Sequence, residues 1–155
     1  MQALAAPFDT DEMIALYKRR MAAAPGQPRQ YRFLASALQA AGRAEQARTV
    51  IDTGLALDPA DRTLIAQRGD AKATVGDPHG ALVDWRHALQ LDDSDIGPLY
   101  SSAYLLEREG RIEEATDAWR SILRWNQERG HALETEFPTR ELERLRQKIK
   151  DKKAE

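Results

Sequence analysis

The most constraining feature of this sequence is an internal period of 34 residues. Gly42, Gly76 and Gly110 are separated by this interval. The same interval recurs in columns of small, aliphatic or large apolar residues, namely Ala35, Gly69 and Ala103; Ala47, Ala81 and Ala115; Leu55, Leu89 and Leu123; Ile51, Trp85 and Trp119; and Tyr31, Ile65 and Leu99. A repeat of this length indicates a stacked array in which each unit is one supersecondary motif.

Each unit has the pattern of two helices joined by a short turn. In the first unit Tyr31 and Leu34 share one helical face, because residues three or four apart lie on the same side of a helix. Gly42 suits the left-handed conformation that ends a helix. A second helix then runs until Asp58, which Pro59 excludes from the helical region. Strands are not expected, since apolar and polar residues do not alternate with a period of two.

The small-residue columns have a physical reason. Two antiparallel helices joined by a few residues approach closely, and a bulky side chain at their crossing would hold them apart. The sequence predicts close crossings at three pairs of residues: Ala35 with Ala47, Gly69 with Ala81, and Ala103 with Ala115. The large residue four positions after each second alanine is expected to fill the space between units.

In its period and its columns the chain resembles the tetratricopeptide repeat family, whose units are 34-residue helix pairs. Pro59 near the end of the first unit fits the family pattern, whereas Asp93 and Gln127 stand at the equivalent places of the other units. The resemblance implies an all-α fold, an antiparallel helix-pair solenoid within a single domain spanning residues 1–155. The three units are predicted at residues 28–61, 62–95 and 96–129.

A further helix is predicted at each end of the array. Residues 9–24 look like the second half of a missing unit, with the apolar residues Met13, Tyr17 and Met21. Residues 139–153 are predicted to form a C-terminal capping helix that Thr139 begins as N-cap and that covers the third repeat near Trp119 and Ile122. Its apolar stripe consists of Leu142, Leu145 and Ile149, and Leu133 and Phe137 are expected to seat it.

Composition excludes several classes of protein. The chain has 155 residues, no cysteine and a net charge of −2, which argues against a dedicated nucleic-acid binder. No apolar run is long enough to span a membrane, and residues 1–8 do not have the pattern of a signal peptide. We therefore expect a cytoplasmic protein. Arginine outnumbers lysine by 17 to 6, which fits a bacterial source with a GC-rich genome.

The C-terminal end is locally basic. From Arg140 onward there are seven lysines or arginines and four acidic residues. A solvated helix end is the preferred interpretation, because cations near a helix C-terminus complement its dipole. An acidic partner for this end is the alternative.

The sequence contains no recognisable catalytic or metal-binding motif. His79 and His87 are eight residues apart on one predicted helix, about 12 Å along its axis and too far for one metal ion. The acidic group Asp92, Asp93 and Asp95 lacks the glycine and distal glutamate of a calcium loop. No catalytic residue, metal or cofactor is therefore predicted, and the chain is not expected to be an enzyme.

The family resemblance implies that the first helix of each unit lines a concave groove, the usual site for a peptide or partner helix. The groove candidates are Arg29, Arg32, Ser36 and Gln39 in the first unit, Thr63, Gln67, Asp70 and Thr74 in the second, and Tyr100, Ser101, Tyr104 and Arg108 in the third. An acidic group near the arginines and an apolar side chain near the tyrosines are expected of the ligand. Alternatively, Tyr100 and Tyr104 pack beneath the C-terminal helix.

Non-catalytic protein or peptide binding, as an adaptor or assembly factor, is the expected function. A secretion-type chaperone that cradles an unfolded segment and a self-associating structural subunit are the alternatives. Co-chaperone members of the family grip a C-terminal carboxylate with several cations. The matching positions here are Arg32, Ser36, Gln67, Gly97 and Ser101, and only Arg32 retains a cation. This pattern disfavours a chaperone-tail adaptor.

One ion pair can also be predicted. Arg68 occupies the column that holds Leu34 in the first unit, so its stem should be partly buried and its guanidinium needs an acceptor. Asp84 lies one residue before Trp85, near the same helix crossing. We therefore expect Arg68 and Asp84 to pair between the two helices of the second unit.

Overall fold

The computed structural model describes residues 9–154, apart from the side chain of Ala132. Residues 1–8, where no signal peptide is expected, lie outside the described residues. The described part forms the helices α1 (Thr10–Ala23), α2 (Pro28–Ala40), α3 (Ala44–Leu57), α4 (Arg62–Thr74), α5 (Pro78–Leu91), α6 (Gly97–Arg108), α7 (Ile112–Glu128) and α8 (Glu136–Ala154), with a 3-10 turn at Ala132–Thr135. No strand occurs among residues 9–154, and the predicted all-α class is confirmed.

Within residues 9–154 the helices form two compact units, which divide between Leu91 and Asp92. In the first unit each helix from α1 to α5 packs on the next, and α2 also packs on α4. In the second unit α7 packs on α6 and on α8. Helix pairs joined by short turns are thus the building block of both units, as the repeat predicts. That the whole chain is one domain stays a prediction.

Glycines with a positive φ angle end four of the helices. Gly42, Gly76 and Gly110 have φ angles of 70°, 83° and 73°, where an L side chain would be strained. After Gly42 the Arg43 N–H donates to the Leu38 carbonyl at 2.8 Å, which closes the turn. The repeat predicts these three turns but not the fourth, at Gly130, which lies outside the period and has a φ of 73°.

The helix crossings are tight where the small-residue columns predict them. Ala35, Ala47, Ala81, Ala103 and Ala115 have no solvent exposure. A Cβ atom on Gly69 would lie 3.2 Å from the Ala81 carbonyl oxygen and 2.6 Å from the Trp85 Nε1 atom. The absence of a side chain at residue 69 therefore allows the Trp85 indole to lie against α4.

Replacing Gly54 by alanine is expected to lower the free energy of unfolding by about 1–2 kcal/mol, although alanine is the better helix former. The new methyl carbon would lie 2.8 Å from the Tyr31 Cβ atom, which no side-chain rotation can move. Urea denaturation measures the effect. Gly26→Ala is the control, because a Cβ there meets nothing within 4 Å. A Gly54→Ala variant as stable as the wild type would contradict this close crossing.

The C-terminal helix differs from its prediction at the N-terminal end. It begins at Glu136, three residues before the predicted start, and Thr139 is not its N-cap. The Thr139 hydroxyl instead donates to the Thr135 carbonyl at 2.7 Å. Pro138 is compatible with this start, because it lies in the first turn, where the backbone N–H groups have no partner within the helix.

The apolar stripe of α8 faces the rest of the second unit. Leu145 is completely buried, and Leu142 and Ile149 are half-buried. Phe137 helps to seat the helix, since its ring contacts Trp119 edge-on with a centroid distance of 5.6 Å. The expectation for Leu133 is wrong, because this residue is 93% exposed and its side chain points away from the unit.

Candidate functional site

In the first unit, the predicted groove residue Arg32 is engaged in an ion pair. Its Nε atom donates to the Asp61 Oδ2 atom at 2.7 Å. The other carboxylate oxygen of Asp61 accepts from the Leu64 backbone N–H at 3.0 Å and so caps α4. The Asp61 side chain is fully buried. Arg32 therefore neutralises a buried helix cap, and a ligand carboxylate would have to compete with Asp61 for it.

Two glutamines of the predicted groove join α2 to α4. The Gln39 Nε2 atom donates to the Gln67 carbonyl oxygen at 2.7 Å, and the Gln67 Nε2 atom donates to the Arg32 carbonyl oxygen at 3.0 Å. The structure thus brings Arg32, Gln39 and Gln67 onto one surface, as predicted. Their polar groups, however, are largely used to hold that surface together.

Arg29 and Ser36 remain exposed on α2. The Arg29 guanidinium lies 5.2 Å from the centre of the Phe33 ring. Phe33 in turn stacks on Tyr17 of α1 with a centroid distance of 5.6 Å. Arg29 is consequently held against an aromatic pair while its charge stays accessible, which makes it the most available cation of the predicted groove in this unit.

Asp70 is an exposed residue whose carboxylate is nevertheless engaged. Its Oδ1 atom accepts a hydrogen bond from the Trp85 Nε1 atom at 2.9 Å. Partial burial of the carboxyl raises the pKa of Asp70, and the indole hydrogen bond offsets only part of that effect. Asp70 therefore fixes the ring of a buried tryptophan in addition to facing solvent.

The predicted pair of Arg68 and Asp84 is confirmed. The guanidinium donates two hydrogen bonds to the carboxylate, at 2.9 and 2.8 Å. The sequence does not predict the third member, Lys72, whose Nζ atom lies 2.8 Å from the Asp84 Oδ2 atom. Burial alone would disfavour the charged carboxylate, but the hydrogen bonds from both cations outweigh it and lower the pKa of Asp84.

In the second unit, three aromatic side chains surround Trp119. Tyr100 and Tyr104 of α6 meet its ring edge-on at centroid distances of 5.7 and 5.3 Å, and Phe137 of α8 does so at 5.6 Å. These contacts support the packing interpretation of the tyrosines, and their role in binding a partner stays a prediction. They pack beside the C-terminal helix, yet Tyr104 keeps 51% of its surface exposed.

A series of hydrogen-bonded polar side chains holds the Trp119 ring of this aromatic cluster in place. The Trp119 Nε1 atom donates to the Glu107 Oε1 atom at 2.8 Å, and the other oxygen of Glu107 accepts from Arg144 of α8. Glu107 and Arg144 are not among the sequence candidates. The sequence does carry an indication of Glu107. A buried indole N–H needs a hydrogen-bond acceptor, and Glu107 is an acidic residue on the facing helix α6. The sequence candidate Arg108 is exposed, and its Nε atom lies 3.7 Å from the Glu109 Oε1 atom.

Other kinds of site receive no support within residues 9–154. No group of three or more His, Asp or Glu side chains is arranged to hold a metal ion there. His79, His87 and His131 are exposed, and His131 stacks on the Trp125 ring. None of the helices in that range combines the length and the apolar character needed to cross a membrane.

Comparison with known proteins gives matches at the level of structure. No protein-family model and no curated protein matches this sequence. The Yersinia enterocolitica type III secretion translocator chaperone SycD matches with a TM-score of 0.69 and 19% identity, over 79% of this chain and 85% of that one. MamA matches with a TM-score of 0.65 and 19% identity, over 95% and 92%.

A third match names the repeat itself. The first TPR of Spaghetti (RPAP3), bound to the HSP90 peptide SRMEEVD, has a TM-score of 0.60 and 21% identity, over 65% of this chain and 80% of that one. The period of 34 residues, the glycine-ended helix pairs and these structural matches agree with one another. The chain has the tetratricopeptide repeat (TPR) fold.

Proposed function

We propose that this chain is a non-catalytic adaptor that binds a protein or peptide through the exposed faces of α2, α4 and α6, the first helices of its repeats. The observation that carries the proposal is Tyr104. Its ring is half-exposed on α6 and held edge-on against Trp119, which is itself fully buried. A rigid, exposed aromatic offers contact area at little cost in conformational entropy, as the dominant residues of interfaces commonly do.

The structural matches support this function. The first TPR of Spaghetti binds an HSP90 peptide, and SycD is a type III secretion translocator chaperone. Both proteins share this fold and associate with other polypeptides. A surface of this kind needs only shape and a few well-placed side chains, so it is compatible with the lack of a metal cluster among residues 9–154.

The available contact residues differ between the two units. Tyr104 and Arg108, with the half-buried Tyr100 beside them, form the proposed contact surface of the second unit. In the first unit, Arg29 and Ser36 are the most accessible members of the predicted set. Arg32, Gln39, Gln67 and Asp70 act mainly by positioning helices, since each bonds to another part of the protein.

A selected peptide tests the proposal. Random displayed peptides are panned on the full chain, and the enriched peptide is synthesised with a fluorescent label for anisotropy titration. Tyr104→Ala is expected to weaken binding by about thirtyfold, the effect of losing a dominant interface residue, whereas Tyr104→Phe retains the ring and most of the affinity. Arg48→Glu on α3 serves as the control and is expected to bind like wild type.

Two results would overturn the proposed surface. One is a Tyr104→Ala variant that keeps its circular dichroism spectrum and melting temperature and binds the selected peptide as well as wild type does. The other is loss of binding in Arg48→Glu alone. Replacing Arg32 is a poor test, because it would also break the ion pair with the buried Asp61.

A chaperone that cradles an unfolded segment is the second candidate, favoured by the match to SycD. Such a protein needs apolar contact surface. Among the described residues of α2, α4 and α6, Tyr104 is the only exposed large apolar side chain. The polar character of these faces favours the adaptor. The chaperone would be favoured if the selected peptides were uniformly apolar and if the chain suppressed aggregation of an unfolded client. The structural-subunit hypothesis requires self-association, which light scattering would reveal.

A further inference from the structure

A cleft lies within the second unit between the start of α7 and the end of α8. Its volume is about 610 Å³. It is lined by residues 110–114 on one side and by Lys148, Ile149, Lys152 and Lys153 on the other. None of these residues belongs to the proposed binding faces of α2, α4 and α6. The volume lies in the range of pockets that hold small ligands, about 300–1,000 Å³, and suits a few residues of a peptide.

The cations of this cleft are largely uncompensated. Within residues 9–154, neither Lys148 nor Lys152 nor Lys153 takes part in a salt bridge. The one lining arginine, Arg111, donates two hydrogen bonds of 2.6 Å to Glu114, so this carboxylate is already engaged. Four cations and two carboxylates line the cleft. It therefore presents a local positive charge.

An apolar surface accompanies this charge. Ile112 at the start of α7 and Ile149 near the end of α8 both line the cleft and are half-buried. On α8, Lys148 and Lys152 are four residues apart and so share a side of the helix, with Ile149 next to Lys148. A ligand would meet ammonium groups and aliphatic carbon atoms together.

The surrounding charge restricts the kind of ligand. Residues 92–155 contain 12 basic and 15 acidic residues, so the second unit as a whole is negatively charged. An extended polyanion such as duplex DNA, or an anionic membrane surface, would meet mostly repulsion beyond the cleft. A short acidic segment would meet only the local cations, because screening limits the reach of charges to about 8 Å at physiological salt.

We propose that this basic cleft binds an acidic segment of a partner protein in which an aliphatic side chain stands among carboxylates. The carboxylates pair with Lys148, Lys152 and Lys153, and the aliphatic side chain contacts Ile112 and Ile149. This interaction is a second contact with a partner, separate from the one at Tyr104. It gives the locally basic C-terminal end a function beyond the solvation of a helix terminus.

The test uses a fluorescein-labelled peptide of sequence Glu-Glu-Leu-Glu-Glu-Leu and the full chain, titrated by fluorescence anisotropy. A peptide with serine in place of both leucines is the matched probe. The variant Lys148→Glu/Lys152→Glu reverses two lysines of the cleft. Arg146→Glu/Lys150→Glu is the matched control, because it makes the same charge change at the same spacing on α8 with exposed residues that do not line the cleft.

We expect the cleft variant to weaken binding of the leucine peptide by about tenfold or more, and the control by about twofold at most. The serine peptide is expected to bind several-fold more weakly than the leucine peptide. Tyr104→Ala is expected to leave this affinity unchanged, so failure here would not affect the proposed function. A benzophenone-labelled peptide should crosslink to residues 110–114 or 148–153.

Several results would overturn the basic cleft as an acidic-segment site. They are no measurable binding of the leucine peptide, equal losses in the two double variants, and equal affinity of the serine and leucine peptides. Tighter binding of a short DNA duplex, or of vesicles containing phosphatidylserine, with the same dependence on Lys148 and Lys152 would assign the cleft to nucleic acid or membrane instead.

Discussion

Leu145→Ala is expected to lower the free energy of unfolding by about 3 kcal/mol, within the range of 2–5 kcal/mol typical of buried leucines. Leu145 is completely buried although it lies on a helix whose other residues are mostly exposed. Its removal leaves a cavity between α8 and the rest of the second unit. Urea denaturation followed by tryptophan fluorescence measures the loss. The control, Lys150→Ala, changes an exposed residue of the same helix and is expected to cost less than about 0.5 kcal/mol.

Truncation of the chain before Glu136 extends this test. It removes Leu145 and Phe137 together and takes away the Phe137 ring that contacts Trp119. A lower melting temperature and concentration-dependent association are expected, because terminal repeats of a stacked array need a polar-backed cap. If Leu145→Ala unfolds at the wild-type urea concentration and the truncated chain stays monodisperse, α8 does not stabilise the unit.

Asp84→Asn is expected to destabilise the first unit by about 2–4 kcal/mol at neutral pH. The substitution leaves Arg68 and Lys72 beside a buried site without their shared carboxylate, and removing one partner of a buried ion pair is strongly destabilising. Asp70→Asn is the matched control on the facing helix. Its amide oxygen still accepts from the Trp85 indole, so its effect is expected to stay within about 0.5 kcal/mol.

The free energies of unfolding of Asp84→Asn and Asp70→Asn, each relative to wild type, are expected to change with pH in opposite directions. The folded-state pKa of Asp84 is lowered, so its stabilisation is present above the unfolded pKa of about 3.9 and is lost as pH falls through the folded pKa. The folded-state pKa of Asp70 is raised, so the stability it contributes is present below its unfolded pKa and is lost as pH rises through the folded pKa.

Denaturation curves from acid to neutral pH check this behaviour. The stability gap between wild type and Asp84→Asn should be constant at neutral pH and narrow in acid. The free energy of unfolding of Asp70→Asn should equal or slightly exceed that of the wild type at neutral pH, and this difference should disappear in acid. A gap for Asp84→Asn that stays the same across the acid range would contradict an ion pair with a lowered carboxyl pKa.

The fold could be predicted because its determinants are periodic and local. Gly42, Gly76 and Gly110 end helices at fixed intervals, and the alanine columns mark the crossings. Gly130 and the start of α8 lie beyond the last repeat, so no period indicates them. Pro138 suggests an interruption before the helix, whereas the structure accommodates it in the first helical turn.

The candidate site was harder to predict because the partners of polar side chains are distant in sequence. Helical spacing correctly places Arg32 and Gln39 on one face of α2. It cannot show that the carboxylate of Asp61, which lies 29 residues after Arg32, pairs with the Arg32 guanidinium. Likewise the 34-residue period aligns Tyr104 with Asp70. It does not indicate that the Trp119 indole donates to Glu107 where Trp85 donates to Asp70.

Amide hydrogen exchange with and without the selected peptide tests most directly whether this TPR fold binds through its first helices. The proposed function predicts slower exchange in α6, residues 97–108, with this protection lost in Tyr104→Ala. Protection confined to α3, α5 and α7, or protection of α6 that persists in Tyr104→Ala, would contradict it.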